Sequence, residues 1–97
     1  MGYVQPQKNL TAEWLPSGGA ILVLRYRGRD WERHLSPNDL VTVIEAAALL
    51  NVSRTAPYQW IQQSRIRCSR SPSLKGSASK VFRLSDLRQF GLDNGFL

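Results

Sequence analysis

Residues 42–63 read TVIEAAALLNVSRTAPYQWIQQ, and this stretch decides the fold. Thr42 followed three residues later by Glu45 has the spacing of a capping box. The hydroxyl accepts from a backbone N–H of the first turn, and the carboxylate reaches back to the cap. Val43, Ala46, Ala47 and Leu50 then recur at helical spacing on one face. The alanines let a second helix approach closely. Asn51 tolerates the left-handed backbone that ends a helix. Val52 is placed to enter the core and Ser53 to cap the next helix. That helix carries Tyr58, Trp60 and Ile61 and runs to about Gln63, with Trp60 expected in the core. The spacing predicts two helices joined by the turn Leu50-Asn51-Val52-Ser53, a helix-turn-helix.

Downstream, IRCSRS and VFRL flank the segment PSLKGSASK. Two short apolar-alternating segments around a Ser/Gly/Lys loop predict a hairpin over 65–84 with a polar, basic tip. Cys68 reads as a small buried residue of its first strand. Ser85 is expected to cap a last short helix, DLRQFGL, with Leu87 and Phe90 inward and Gly91 or Gly95 at its end.

Upstream, residues 20–27 (AILVLRYR) are rich in branched and aromatic side chains, which favour a strand. Gly28-Arg29 fits a two-residue II′ turn with glycine at the first central position. In the segment 30–35, Trp31, Arg33 and Leu35 alternate with Glu32 and His34, so 20–35 reads as a hairpin. Residues 1–19, punctuated by Pro6, Pro16, Gly18 and Gly19, read as an irregular arm anchored by Trp14 and Leu15. Ser36-Pro37-Asn38-Asp39 is the expected boundary between an N-terminal arm and hairpin (1–38) and a second domain (39–97). Two readings of the hairpin are open. It adds strands to the downstream sheet and enlarges the core, or it pairs with another subunit to give a homo-oligomer.

Charge divides the chain of 97 residues at the same region. Residues 53–97 hold eight basic and two acidic side chains, a net +6, whereas 1–52 hold five of each. No acid occurs between Glu45 and Asp86. A polyanion finds one attractive half, and double-stranded DNA is the leading partner. One cysteine excludes an internal disulfide and fits a cytoplasmic protein. One histidine, His34, and one cysteine cannot build a Cys/His zinc site. No apolar run is longer than the five residues of Ala20–Leu24, too short to span a membrane, and no signal peptide is expected. Ser/His/Asp and Cys/His sets are missing, and Gly18-Gly19 alone is too weak for a phosphate cradle. No enzyme, cofactor, metal, membrane or small-molecule substrate is expected.

The helix pair, the basic hairpin and FRLSDLRQF together resemble the excisionase and MerR-type winged-helix family over residues 41–90. The shared pattern is a Thr-capped helix with Ala-Ala-x-x-Leu, a small-Val-Ser turn, a Tyr-x-Trp-Ile helix, a wing, and a Phe-x-x-Ser-Asp-Leu closing segment. Pro57 stands where that family carries a β-branched residue, which moves the expected helix start toward Thr55 as cap. Ser64 stands where it carries glycine. The resemblance implies an α+β winged helix-turn-helix with a short hairpin wing, preceded by the arm and hairpin. It implies DNA contacts from Arg54, Thr55, Tyr58, Gln59, Gln62 and Gln63 on or beside the second helix, and from Arg65, Arg67, Arg70, Lys75 and Lys80 along its exit and wing. Gln59 and Gln62 would read base edges, since glutamine pairs bidentately with adenine. Arg54 and Tyr58 would hold phosphates.

The expected function is sequence-specific DNA binding by a small transcriptional regulator or an excisionase-like recombination-directionality factor. A phage DNA-packaging or replication adaptor, and a protein-interaction winged helix that has lost DNA binding, are the alternatives.

Overall fold

The computed structural model describes residues 9–74 and 76–97, with the side chains of 77 and 78 left aside. Strand β1 (Leu10–Trp14) pairs antiparallel with β2 (Ala20–Tyr26), which pairs antiparallel with β3 (Arg29–Leu35). The segment 10–14 is therefore a strand and not part of an irregular arm. Its alternation of Leu10, Ala12 and Trp14 faces inward and is completed only by β2. Residues 1–8 of the expected arm lie outside the described residues. The hairpin turn is Arg27-Gly28, not Gly28-Arg29, because Tyr26 pairs with Arg29. Both turn residues have positive φ, 54° and 74°, the type I′ sign pattern that matches strand twist.

The second sheet has the order β4-β6-β5, from β4 (Leu40–Thr42), β5 (Ser69–Arg70) and β6 (Lys80–Arg83), all antiparallel. The upstream hairpin adds no strand to it. Cys68 is half-buried and precedes β5 rather than lying on it. A short 3₁₀ turn, Gly76–Ser79, closes the β5–β6 connection.

Helix α1 (Val43–Leu50) begins with the expected capping box: Glu45 N–H donates to Thr42 Oγ1, and Thr42 N–H to Glu45 Oε1 at 2.9 Å. It ends at Asn51, which has φ 55°. Helix α2 (Ala56–Gln62) does not use Ser53 as its cap. Thr55 occupies the cap position without a side-chain bond, and its hydroxyl meets that of Ser53 at 3.1 Å. Pro57 lies in the first turn, where a missing N–H costs nothing. Helix α3 (Leu84–Asp93) starts before Ser85, which is not its cap. The N–H groups of Leu84 and Ser85 donate instead to the carbonyls of Asp39 and Pro37, each at 2.9 Å. The linker thus supplies from a distance what a local cap would have supplied. Gly91 lies inside α3, and Gly95, at φ 80°, follows its end.

Three helices and two antiparallel sheets make an α+β fold around one cluster. Ala20, Leu22 and Leu35 of the first sheet join Val41, Val43, Ala46, Leu49, Leu50, Trp60, Phe82, Leu84, Leu87 and Phe90. Trp60 meets Phe90 at 4.6 Å between ring centroids and Phe96 at 5.3 Å. Truncating such a buried aromatic costs about 3–5 kcal/mol. Among the described residues no helix is long and apolar enough to cross a membrane.

Candidate nucleic-acid interface

Helix α2 is amphipathic with a polar outer face. Pro57 and Trp60 are buried, and Ala56, Tyr58 and Ile61 are half-buried against the core. Arg54, Thr55, Gln59, Gln62 and Gln63 are exposed. Positions 55, 59, 62 and 63 follow the i, i+4, i+7, i+8 spacing of one helical stripe. Among the described residues, no side-chain hydrogen bond engages the three glutamines, so their donors and acceptors face water. Tyr58 packs against the core cluster, which fixes its ring.

The exit from α2 turns sharply. Ser64 has φ 56°, and Arg65 N–H donates back to the Trp60 carbonyl at 2.9 Å. This sends Arg65 away from the α2 stripe. Its Nη2 donates to Asn94 Oδ1 at 2.6 Å, and its guanidinium lies 5.4 Å from the Phe90 ring centroid. Arg65 thus serves the end of α3 and is not grouped with the glutamines. Arg67 is exposed and lines a cleft of about 230 Å³ with Leu40, Ser69, Arg83 and Asp86.

Arg70 and Lys80 stand directly opposite each other across β5 and β6. Opposed residues in an antiparallel pair share a face, and like charges there are destabilising. Arg70 Nη1 also reaches Ser79 Oγ, at 3.4 Å. Lys75 lies outside the described residues. The structure therefore places Thr55, Gln59, Gln62 and Gln63 along one stripe with Arg54 exposed in the turn before α2, sets Arg70 opposite Lys80, and leaves Arg65 apart.

Arg83, which the sequence placed beside Phe82 and outside the set of expected DNA contacts, shares the cleft of Arg67. Sequence reasoning passed over the hairpin tip, where Arg29 lies 4.9 Å from the Trp31 ring and Arg27 5.3 Å from that of Tyr26. The alternation of aromatic and basic residues in 25–31 was the available signal. Arg25 on the opposite face is engaged: it donates to Asp30 at 3.0 Å, and this bond holds the Asp30 carboxyl below the ordinary carboxylate range. His34 is exposed beside Glu32, at 3.2 Å.

Compared with known proteins, the chain matches no family profile, and no curated protein or solved structure is significantly similar to it.

Proposed function

We propose that the chain binds double-stranded DNA sequence-specifically as a winged helix-turn-helix protein, acting as a transcriptional regulator or an excisionase-like recombination-directionality factor. The observation that carries this reading is the outer face of α2. Gln59 and Gln62 on α2 and Gln63 at its C-cap have no side-chain hydrogen-bond partner among the described residues, in a stretch of chain with no acid between Glu45 and Asp86.

The physical case has three steps. A buried Trp60 and Pro57 hold α2 rigidly by one face, so the other is presented with little ordering cost on binding. An α-helix is about 10–12 Å across with its side chains, a diameter that the major groove, about 12 Å wide, admits. Gln59 and Gln62 carry the donor–acceptor pair that adenine matches, while Arg54, exposed in the turn before the helix, supplies phosphate attraction. The opposed Arg70 and Lys80 make the second support. Their mutual repulsion turns into shared attraction when a phosphate oxygen lies between them.

The test is selection of bound duplexes from a random pool, followed by titration of the winner across salt. Affinity is expected to fall on the order of a hundredfold between 50 and 200 mM salt if about four phosphates are neutralised. Gln59→Ala is expected to relax preference at one position of the site, and Arg70→Ala to weaken all duplexes alike. A chain that enriches no sequence and binds DNA with no salt dependence overturns the reading.

A further inference from the structure

The β2–β3 hairpin ends in a turn that its first residue does not favour. Arg27 has φ 54° and Gly28 φ 74°. A turn with two positive φ values calls for Asn, Asp or Gly at the first central position, because most side chains are strained in the left-handed region. Arginine stands there instead. Among the described residues it forms no ion pair, and its guanidinium lies 5.3 Å from the Tyr26 ring centroid. The turn projects into open space, since a Cβ built at Gly28 meets nothing within 4 Å. Backbone strain of this kind collects where function needs the side chain that bears it.

Arg29 repeats the arrangement from β3. Its guanidinium lies 4.9 Å from the Trp31 ring centroid, and it too forms no ion pair among the described residues. Tyr26 is 56% exposed and Trp31 53%, so both cations rest on rings that face water. A ring within about 6 Å attracts a guanidinium and restrains it, while the N–H edge stays free to donate. The acids of the neighbouring elements are already engaged. Asp30 stands opposite Arg25 on the other face of the hairpin and accepts from it at 3.0 Å. Glu32, on that same face, meets His34. Glu45 accepts from the Thr42 N–H and pairs with Arg33. Residues 1–52 balance to zero as a whole, yet Arg27 and Arg29 are left without acids at the tip.

We propose that this hairpin tip is a second nucleic-acid contact, in which Arg27 and Arg29 each take a phosphate of the DNA backbone. The proposal rests on the reading that the chain binds duplex DNA, and it adds a contact in the half whose net charge conceals it. A guanidinium fork matches two phosphate oxygens and forms charge-assisted hydrogen bonds with them. The net +6 of residues 53–97 draws the same polyanion, so one ligand serves both halves. The tip is remote from α2. Trp14 reaches Leu49 in the last turn of α1, while Leu10 and Leu24, opposed near the tip, line a groove with Ile44 of its first turn. The hairpin therefore projects past the start of α1, at the end away from the turn into α2. The phosphates it meets flank the base pairs beneath α2, and contacts of this kind add affinity without reading sequence.

The experiment measures affinity for the selected duplex, and for a scrambled one, across salt. Arg27→Asn suits the turn and removes the charge, so its unfolding midpoint is expected to be unchanged or higher. Its binding is expected to weaken on both duplexes, and the loss of affinity between 50 and 200 mM salt to shrink by about three- to fourfold, as for one phosphate contact. Arg29→Gln, whose backbone is extended, gives the same reading if the turn variant misfolds. Arg88→Gln, the same charge change on α3, is expected to leave the salt dependence as it was. A chain that selects a sequence but whose salt dependence both tip variants leave unchanged overturns this proposal and spares the role of α2. Equal flattening by Arg88→Gln also overturns it, since net charge alone then acts. A chain that selects no sequence, yet loses salt dependence in the tip variants alone, upholds the tip and overturns sequence-specific reading by α2. A chain that binds neither duplex at any salt overturns both.

Discussion

The indole N–H of Trp14 donates to the carbonyl of Leu49 at 2.9 Å, across 35 residues of chain. Leu49 lies in the last turn of α1, where carbonyls have no partner within the helix. Asn51 and Val52 take the carbonyls of Ala47 and Ala48, and Trp14 takes that of Leu49. The first sheet thus completes the helix that leads into α2. Trp14→Phe, which keeps most of the ring and removes the donor, is expected to cost about 1 kcal/mol in urea unfolding. Removing residues 1–36 also strips Ala20, Leu22 and Leu35 from the core, and the remainder is expected to lose its cooperative transition. A truncated chain that melts as sharply as the whole would show the two parts to be independent.

Ser64 holds a left-handed backbone at the exit of α2, with φ 56°. That conformation costs a non-glycine residue about 1–2 kcal/mol, and serine has less local relief than Asn51 at the end of α1. Ser64→Gly is expected to stabilise the protein by up to about 1 kcal/mol after the extra freedom of glycine in the unfolded chain is subtracted. The midpoint of chemical unfolding measures it. Ser64→Val is expected to move the midpoint the other way, because a β-branched side chain at positive φ is more strained.

Arg70 and Lys80 offer a test that separates stability from binding. If their opposition exists to hold a phosphate, it carries a folding cost of about 0.2–1 kcal/mol. Lys80→Glu turns the pair into an attractive one and is expected to raise the melting temperature slightly while weakening every duplex. A variant that gains stability and keeps its DNA affinity would remove this pair from the interface.

The parts of this fold that local rules decide are legible in the chain. Thr42 and Glu45 lie within one turn of each other, and Asn51 ends α1 by its own conformational tolerance, so spacing alone discloses both. Trp60, Leu87 and Phe90 are assigned to the core by helical period. What escapes is set by distant partners. The short run Leu10–Trp14 becomes a strand because β2 pairs with all of it. The start of α3 needs no serine cap because the carbonyls of Pro37 and Asp39, more than 40 residues earlier, accept its N–H groups. Arg65 looks like one more wing cation until Asn94 and Phe90 draw it aside. The turn falls at Arg27-Gly28, one residue before the position its sequence suggests, because glycine is allowed at either central position and only the strand register chooses.

Glu45 joins the two halves of the molecule through its two oxygens. Oε1 accepts from the Thr42 N–H and closes the capping box, while Oε2 pairs with Arg33 Nη1 on β3. Arg33 Nη2 also donates to the Leu40 carbonyl at 3.1 Å, so the ion pair ties β3, β4 and α1 together. Half the Arg33 side chain is exposed, and an exposed pair of this kind contributes at most about 1 kcal/mol. The cap contributes about 1 kcal/mol by itself. Glu45→Gln keeps an acceptor for Thr42 and loses only the charge, so its cost is expected to be small and to shrink further in high salt. Glu45→Ala loses both and is expected to cost about 1–2 kcal/mol, most of it insensitive to salt. In an Arg33→Ala background, Glu45→Gln is expected to cost nothing further, since the charge then has no partner on β3. Equal costs for Glu45→Gln with and without Arg33 would show that the ion pair contributes nothing and that the sheet is held to α1 by packing and the Trp14 bond alone.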